Sequence, residues 1–569
     1  MIDKLKKFLM QRRGVDGYFE SRLSDSAVST AVACIALEIA YSQKYSREIA
    51  AAKHWLLTTQ NVDGLYGDSP ESPANLTATF LAYVALVCDG ENFDKLEKTR
   101  TWLLEYFGDF SFASVKRGFL AEYGKDLTFS VPILALATAA GFFDDAELAW
   151  RKMPRFPFEV VVLFPERLFK YLNLPVVSYA IPALICVGLA QLCHAKSGVI
   201  KKLRSLAKNK ALRVLLDKQP VEGGFLEAAP LTGFCAMCLC AAGLTEHPAA
   251  IKAIDFLLKT QHENGAWPID RDLRQWCTSL AVVPLSRNFS EEEKRQYRDA
   301  LKHHQTKQVH PFTKSAPGGW GWTTHSGSVP DADDTSAALI ALHHLGEKSG
   351  ETVQSGIKWL LDLQNCDGGI PTFCRGWGKL PFDCSCPDIS AHAFKAFSCF
   401  GSDLPPALQK RVARAKVRIL RYLKSVQRDD GSFVPLWFGD QWAANKEAPV
   451  YGSAVVLEHL CGFDEPFLEK TKNFLLASQH VSGGWGSAEN LHDDVTVTAR
   501  CVAALASFAD AKQAVQRAWE FLKPFVDDPA SVPAEPIGLY FAHLWYSDAL
   551  YAPIFLLNAI QQTEDHNAW

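Results

Sequence analysis

Apolar runs with helical spacing recur along this chain, and glycine-bearing polar turns separate them. Trp359-Leu360-Leu361-Asp362-Leu363 ends one run, and Ala337-Ala338-Leu339-Ile340-Ala341-Leu342 belongs to the next. The turns share a form: Gln, three residues, Gly, one residue, aromatic. QNVDGLY spans Gln60 to Tyr66, QPVEGGF spans Gln219 to Phe225, and QHENGAW spans Gln261 to Trp267. QRDDGSF runs from Gln427 to Phe433, and QHVSGGW from Gln479 to Trp485; Gln364 opens a degenerate copy, QNCDGGI. The unit is helix, glycine turn, helix. The glycine permits positive φ at the helix end, the glutamine can satisfy backbone groups of a neighbouring helix end, and the aromatic can stack beside it. No alternating strand pattern of useful length appears. The expected fold class is all-α, with paired helices closing into (α/α) barrels, or α-toroids. These repeats set the fold and carry no chemistry.

A length of 569 residues exceeds one ordinary core and predicts two domains or an array. Net charge is −4, which gives no electrostatic reason to expect nucleic acid. The fifteen cysteines are scattered, without the paired spacing of a disulfide scaffold, and suit a reducing cytosol. Mean hydropathy is −0.04 and aromatics reach 11%, so either the core is large or some apolar surface meets lipid or a greasy ligand. The start of the chain, Met1 to Arg13, lacks the apolar run of a secretory signal and reads as a short basic amphipathic helix. Such a helix docks on the fold or touches an anionic membrane surface. The stretch Phe156 to Leu192 is apolar, but prolines and charges interrupt it, so it makes a poor transmembrane span. Buried toroid helices or a monotopic plateau are the two readings of it.

The chemistry concentrates after Gly318-Gly319-Trp320-Gly321-Trp322. There Pro330-Asp331-Ala332-Asp333-Asp334-Thr335-Ser336 places three carboxylates within four residues, at the opening of an apolar helix. One aspartate at a helix start needs no explanation beyond capping and the helix dipole. Three are expensive unless used. Like charges this close cannot all ionise, so a proton is retained at neutral pH. Asp388-Ile389-Ser390-Ala391-His392 places Asp and His at i and i+4, on one helix face. Asp388 there can hold His392 charged, with its other nitrogen aimed at the aspartates; a structural histidine is the plainer reading.

These segments resemble the squalene–hopene cyclase family. GGWGWTTHSGSVPDADDTS is similar to its acid motif, DISAH to its supporting Asp–His element, and the glutamine–tryptophan repeats to its hallmark. The resemblance implies two α-barrel domains: residues 1–14 plus 271–569 as the catalytic barrel, and 15–270 as an inserted one. It implies a class II terpene cyclase that protonates a terminal alkene of squalene, or of a squalene-like polyprene, and directs polycyclisation through carbocations. Asp333 would donate the proton. Asp331 and Asp334 would hold it protonated and share the charge. His392 would bond Asp333 and be held by Asp388. The aromatic pocket would comprise Trp276, Trp322, Phe373, Trp437, Tyr179 and Phe129, with Tyr540, Phe541, Trp545 and Tyr546 as the last wall. Ring faces stabilise a dry cation by about 2 kcal/mol or more each. The family uses no metal or organic cofactor, is monotopic at the inner, cytoplasmic face of a membrane, and suggests a homodimer.

The chain departs from the family at three places. Two glutamates far from the acid, which arrange water for termination, become Ser29 and Leu81, and an arginine beside the equivalent of Trp437 becomes Leu436. Initiation is therefore expected intact, while the choice between deprotonation and water capture stays open. Three other readings compete. A class II cyclase of a prenyl diphosphate uses the same acid motif but needs a basic pocket, for which Lys125 and Lys379-Leu380 are sparse. A zinc prenyltransferase β-subunit is also a toroid, and Asp383, Cys384, Cys386 and His392 invite that comparison, with unconvincing spacing. A non-catalytic toroid would not need three aspartates together.

Overall fold

The computed structural model describes residues 2–20, 22–88, 93–124, 127–163, 181–311, 313–373, 383–540 and 544–568. The chain folds into two helical units. One comprises Met1–Arg22, Asp272–Thr324 and Ser328–Trp569; the other comprises Leu23–Arg271 and His325–Gly327.

In the first unit, six helices pack side by side into a closed ring: Arg274–Leu285, Ala332–His344, Pro387–Cys399, Pro449–His459, Val495–Leu505 and Tyr551–Asp565, the last returning to the first. These helices are buried on nearly all sides, which only predominantly apolar sequences tolerate. Val495–Leu505 has every residue buried. An outer layer covers them, and its helices bury a single stripe. Glu351–Leu363 buries Val353, Gly356, Ile357, Trp359, Leu360 and Leu363, a spacing of three and four. The basic helix Ile2–Met10 belongs to this outer layer. Leu5 and Leu9 are fully buried against Lys512–Asp527 and Tyr551–Asp565. Past the expected division at residue 14, the chain stays with this unit to Arg22. Phe19 N–H donates to Thr278 Oγ1 at 2.9 Å, and the Tyr18 hydroxyl donates to the Ala300 carbonyl at 2.9 Å.

The second unit repeats the plan. Ala27–Tyr41, Leu76–Val87, Leu127–Ala139, Ile181–Cys193 and Ala229–Ala241 pack in a ring. Of the apolar stretch 156–192, helix Ile181–Cys193 is largely buried, and Phe158–Leu163 buries Phe158, Val161 and Val162. Residues 164–180 lie outside the described residues. No described helix is long and apolar enough to cross a membrane.

The glutamine turns share one bond pattern. Gln261 Nε2 donates to the Gly265 carbonyl at 3.0 Å and to Glu48 in the first turn of the helix Ser46–Thr58 at 3.0 Å. Gln479 Nε2 does the same to Gly483 and Ala514, both at 2.8 Å. The ring of the aromatic closes the turn: Trp485 Nε1–H donates to Leu475 at 2.7 Å and Trp267 Nε1–H to Leu257 at 2.8 Å. The glycine is needed twice over. Gly483 has φ +91°, and a Cβ there would sit 2.3 Å from the Arg517 carbonyl oxygen.

A copy not recognised in the sequence emerges at Gln305. Its Nε2 donates to Gly318 at 2.8 Å and Thr352 at 2.9 Å, and Trp320 Nε1–H donates to Leu301 at 2.7 Å. The acid motif is thus the exit from one of these turns. Strand pairing is short: Asp25–Ser26 with Trp267–Pro268, and Gly538–Tyr540 with Leu544–Tyr546.

Candidate active site

Two of the motif residues do what their counterparts do elsewhere in the ring. Asp331 is the N-cap of Ala332–His344, and its Oδ1 accepts from Asp334 N–H at 2.8 Å. Four residues on, Thr335 Oγ1 accepts from the Trp320 N–H at 3.0 Å. Asp494 and Thr498 repeat this pair, with Asp494 accepting from Val497 N–H and Thr498 from Trp485 N–H. Asn75 and Thr79 repeat it again, toward Ala78 and Tyr66. Capping therefore accounts for Asp331 and Thr335. It does not account for Asp333.

Asp333 lies in the first turn of this helix, where the dipole favours a carboxylate. Its Oδ1 is 2.6 Å from His392 Nδ1, which projects from Pro387–Cys399, the next helix of the ring. The Asp333 side chain is 22% exposed and that of His392 is 6% exposed. The other two aspartates are buried at 3% and 6% exposure. Burial pushes the Asp331 carboxyl up to about 7; the nearby Asp333 adds to this, and the bonds from Asp334 oppose it. Burial pushes Asp334 well above the usual range, with Asp331 adding to it. Burial thus favours keeping a proton on this pair. Asp334 Oδ1 is buried without a hydrogen-bond partner.

Asp388 corrects one expectation. It shares a helix face with His392 but does not bond it. Its Oδ1 accepts from the Cys386 thiol, and its carboxyl also takes backbone N–H groups at the helix start. Burial pushes it up to about 6, and the nearby Asp333 adds to this. Helix geometry explains the choice. At the second position of Pro387–Cys399, Asp388 meets free N–H groups that compete for its oxygens. Cys386 also accepts from the Leu436 N–H at 3.3 Å, so this cysteine is engaged in loop and helix-start contacts.

Aromatic rings gather on the same side. The Trp276 ring lies 6.2 Å from His392, edge to face, and the Trp276 backbone N–H donates to the Trp322 carbonyl at 3.0 Å. Trp322 and Phe373 are 6.2 Å apart, and Phe373 and Trp437 5.8 Å, both T-shaped. Trp437 Nε1–H donates to Thr372 Oγ1, and the Thr372 carbonyl accepts from Ala332 N–H at 2.9 Å. Those bonds tie the aromatic run to the acid helix. Trp322, Phe373 and Trp437 are half-buried, where most of the ring helices are buried. Next to them, Leu539 N–H donates to the Trp437 carbonyl at 2.9 Å. In the paired strand Trp545 is buried and Tyr546 half-buried.

Phe129 stands in the second unit, 5.8 Å from Tyr123. Ser29 and Leu81 are buried there too, with Ser29 Oγ lacking a partner. Tyr540 ends the strand Gly538–Tyr540. Tyr179, Phe541, Lys125 and Lys379-Leu380 lie outside the described residues.

The squalene-hopene cyclase C-terminal domain profile matches residues 274–522, and the N-terminal domain profile matches residues 2–132. The chain belongs to the squalene–hopene cyclase family. The squalene–hopene cyclase of Alicyclobacillus acidocaldarius is 23% identical over 533 residues, covering 81% of this chain and 78% of that enzyme. A terpene cyclase-glycosyl transferase fusion protein of Humicola fuscoatra is 25% identical over 523 residues, covering 77% of this chain but only 38% of the fusion. The fold is shared with an ent-copalyl diphosphate synthase from Streptomyces platensis, at a TM-score of 0.57 and 18% identity, over 99% of both chains. Family membership makes this chain a terpene cyclase, and the all-α toroid is its architecture.

Sequence reasoning missed three residues of this site. Arg500, Glu458 and His459 are buried charged or titratable groups behind Asp333 and His392. The available signal was an arginine inside an otherwise apolar run, VTVTARCVAAL.

Proposed function

We propose that this cyclase protonates a terminal alkene of squalene, or of a squalene-like polyprene, with Asp333 as the acid. The observation carrying this reading is the 2.6 Å contact between Asp333 Oδ1 and His392 Nδ1. With Nδ1–H donated to Oδ1, the transferable proton belongs on Oδ2. Asp331 and Asp334, a buried pair that itself retains a proton, oppose the loss of the Asp333 proton until substrate arrives, because a further negative charge beside them is costly. Once it leaves, the His392 bond and the helix dipole stabilise the carboxylate. The proton goes to the terminal alkene carbon, leaving a tertiary cation beside it. The π electrons of successive alkenes attack in turn, closing rings and moving the charge along the chain. Loss of a proton or capture of water ends the sequence.

Trp276, Trp322, Phe373 and Trp437 are proposed as cation-stabilising walls near the acid, with Trp545 and Tyr546, and with Tyr540 and Phe541, as the further wall. Tyr179 and Phe129 are proposed as pocket aromatics supplied by the inserted barrel, and the unit that opens with Met1–Arg22 and resumes at Asp272 as the catalytic barrel. The proposed location is the inner face of a membrane, because a polyprene substrate partitions there, and the proposed assembly is a homodimer. Exposed Leu163, Val199, Leu203 and Leu206 support a lipid-facing surface.

The test is incubation with squalene, solvent extraction and mass spectrometry of the products. A parallel arm with geranylgeranyl diphosphate, with and without EDTA, distinguishes a diphosphate cyclase. Asp333→Asn, nearly isosteric, is expected to lose turnover while the far-UV spectrum and melting temperature stay those of the parent. Undiminished squalene turnover in Asp333→Asn would sink the mechanism.

A further inference from the structure

Behind the Asp333–His392 contact lies a buried charge layer that the protonation step, as described, does not use. His459 stacks on His392 with centroids 4.6 Å apart and planes within 5°. Its chain neighbour Glu458 accepts from Arg500 Nη1 at 2.8 Å, and from Asn558 Nδ2 at 2.9 Å. The guanidinium is 4.7 Å from the centroid of the Phe555 ring and 5.7 Å from that of Tyr451. Both charged side chains are almost fully withdrawn from water, at 9% and 13% exposure. Arg500 Nε is buried with no hydrogen-bond partner.

Such a pair is costly to bury, and apolar residues of similar volume would often serve the core as well. Its position suggests a use. A continuous run of contacts leads from Arg500 to the acid: Glu458 pairs with Arg500, the adjoining His459 stacks on His392, and His392 contacts Asp333; the charges of Arg500 and Asp333 act on one another and on Tyr451, whose ring packs against Arg500. We propose that Arg500, anchored by Glu458, is a positioning residue that supplies positive field to Asp333 as its proton leaves. This rests on Asp333 being the acid. Before transfer the carboxyl is neutral and gains little from Arg500. After transfer it is an anion in a low-dielectric setting, where a nearby fixed cation matters most. The interaction is thus stronger in the transition state than before it, which is the condition for raising kcat. Glu458 keeps the guanidinium from becoming an isolated buried charge. His459 is held neutral, its basicity driven well down by burial, with His392 and Arg500 adding to this. It fills the space behind His392 without adding a second cation.

The other groups around Asp333 are accounted for helix by helix. Its own helix brings Asp331 and Asp334; Pro387–Cys399 brings Asp388 and His392, with Lys395 facing His459. Pro449–His459 brings Tyr451, and Arg274–Leu285 the uncharged Trp276. Lys358 and Asp362 of Glu351–Leu363 are exposed.

The experiment compares Asp333→Asn, Arg500→Lys and the double variant Arg500→Met/Glu458→Gln, using full-length protein and squalene. The double variant removes both buried charges together and keeps an acceptor for Asn558, so it is built to fold. Expected for it is a kcat lowered on the order of tenfold or more, with KM unchanged. The alkaline limb of its kcat profile should move to higher pH, because a carboxyl deprived of a nearby cation holds its proton longer. Arg500→Lys, which keeps the charge, should leave that limb in place. A folded double variant with parental kcat and pH profile overturns the inference. Retained turnover in Asp333→Asn overturns the acid assignment itself, and the two failures are read separately.

Discussion

The Cys386 thiol is hydrogen-bonded to the carboxylate of Asp388, and His392, one helical turn further on, turns its ring nitrogen to Asp333 instead. An Asp and a His four residues apart on one face do not therefore form a pair. Asp388 belongs to the start of its helix, and His392 belongs to the acid. Asp388→Asn is accordingly expected to lower kcat less than His392→Ala does. Loss of the histidine should cost about 10² or more, the usual range for a group taking part in proton transfer. Steady-state rates of the two purified variants check this ordering, and equal losses would refute it.

The buried carboxyl of Asp331 sets a pH dependence of stability. Its folded value is raised to about 7, against about 4 in an unfolded chain. The folded state therefore binds the proton more tightly. The associated stability is fully present below about pH 4 and is lost as pH rises through about 7. Asp331→Asn keeps an N-cap side chain and has nothing to titrate. Its melting temperature should fall less than the parent's between pH 4.5 and pH 8, measured by thermal scans at constant ionic strength.

Trp437 joins Phe373 by an edge contact and the acid helix through Thr372. Trp437→Ala removes a ring face worth about 2 kcal/mol to a desolvated cation, or roughly thirtyfold in rate. Early-terminated, less cyclised products are expected in the extract. Trp437→Phe should restore much of the rate. A parental product profile from the alanine variant would remove Trp437 from the cation path.

The Gln305 turn makes the same bonds as the Gln479 turn despite its longer loop. Gln305→Ala and Gln479→Ala should each cost about 1–3 kcal/mol by leaving buried carbonyl groups under-bonded. Urea unfolding measures both. Gly483→Ala should cost more than either, since it adds a left-handed backbone to a clash with the Arg517 carbonyl.

Periodic information was readable in the sequence and pairwise information was not. Six glutamine turns identified the helix-turn-helix unit because the residues that bond, Gln479 and Gly483 for instance, sit four apart. The seventh escaped because thirteen residues separate Gln305 from Gly318, though the bond is the same. Asp333 and His392 were legible as residue types in unusual settings. The partner of Asp388 was not, because a cysteine two residues upstream competes with a histidine four residues downstream, and only backbone direction decides. Arg500 and Glu458 lie forty-two positions apart, and nothing local links them. Tyr451 reads alone as a core aromatic, until Arg500 is seen against its ring.

Helix Ile2–Met10 is made long before Lys512–Asp527 and Tyr551–Asp565, yet only against those two helices do Leu5 and Leu9 find their cover. During synthesis this segment must wait, greasy side outward, while more than five hundred further residues leave the ribosome. The ring bearing the acid can be sealed only once Tyr551–Asp565 has emerged. Until then Ile2–Met10 is a natural client for a chaperone.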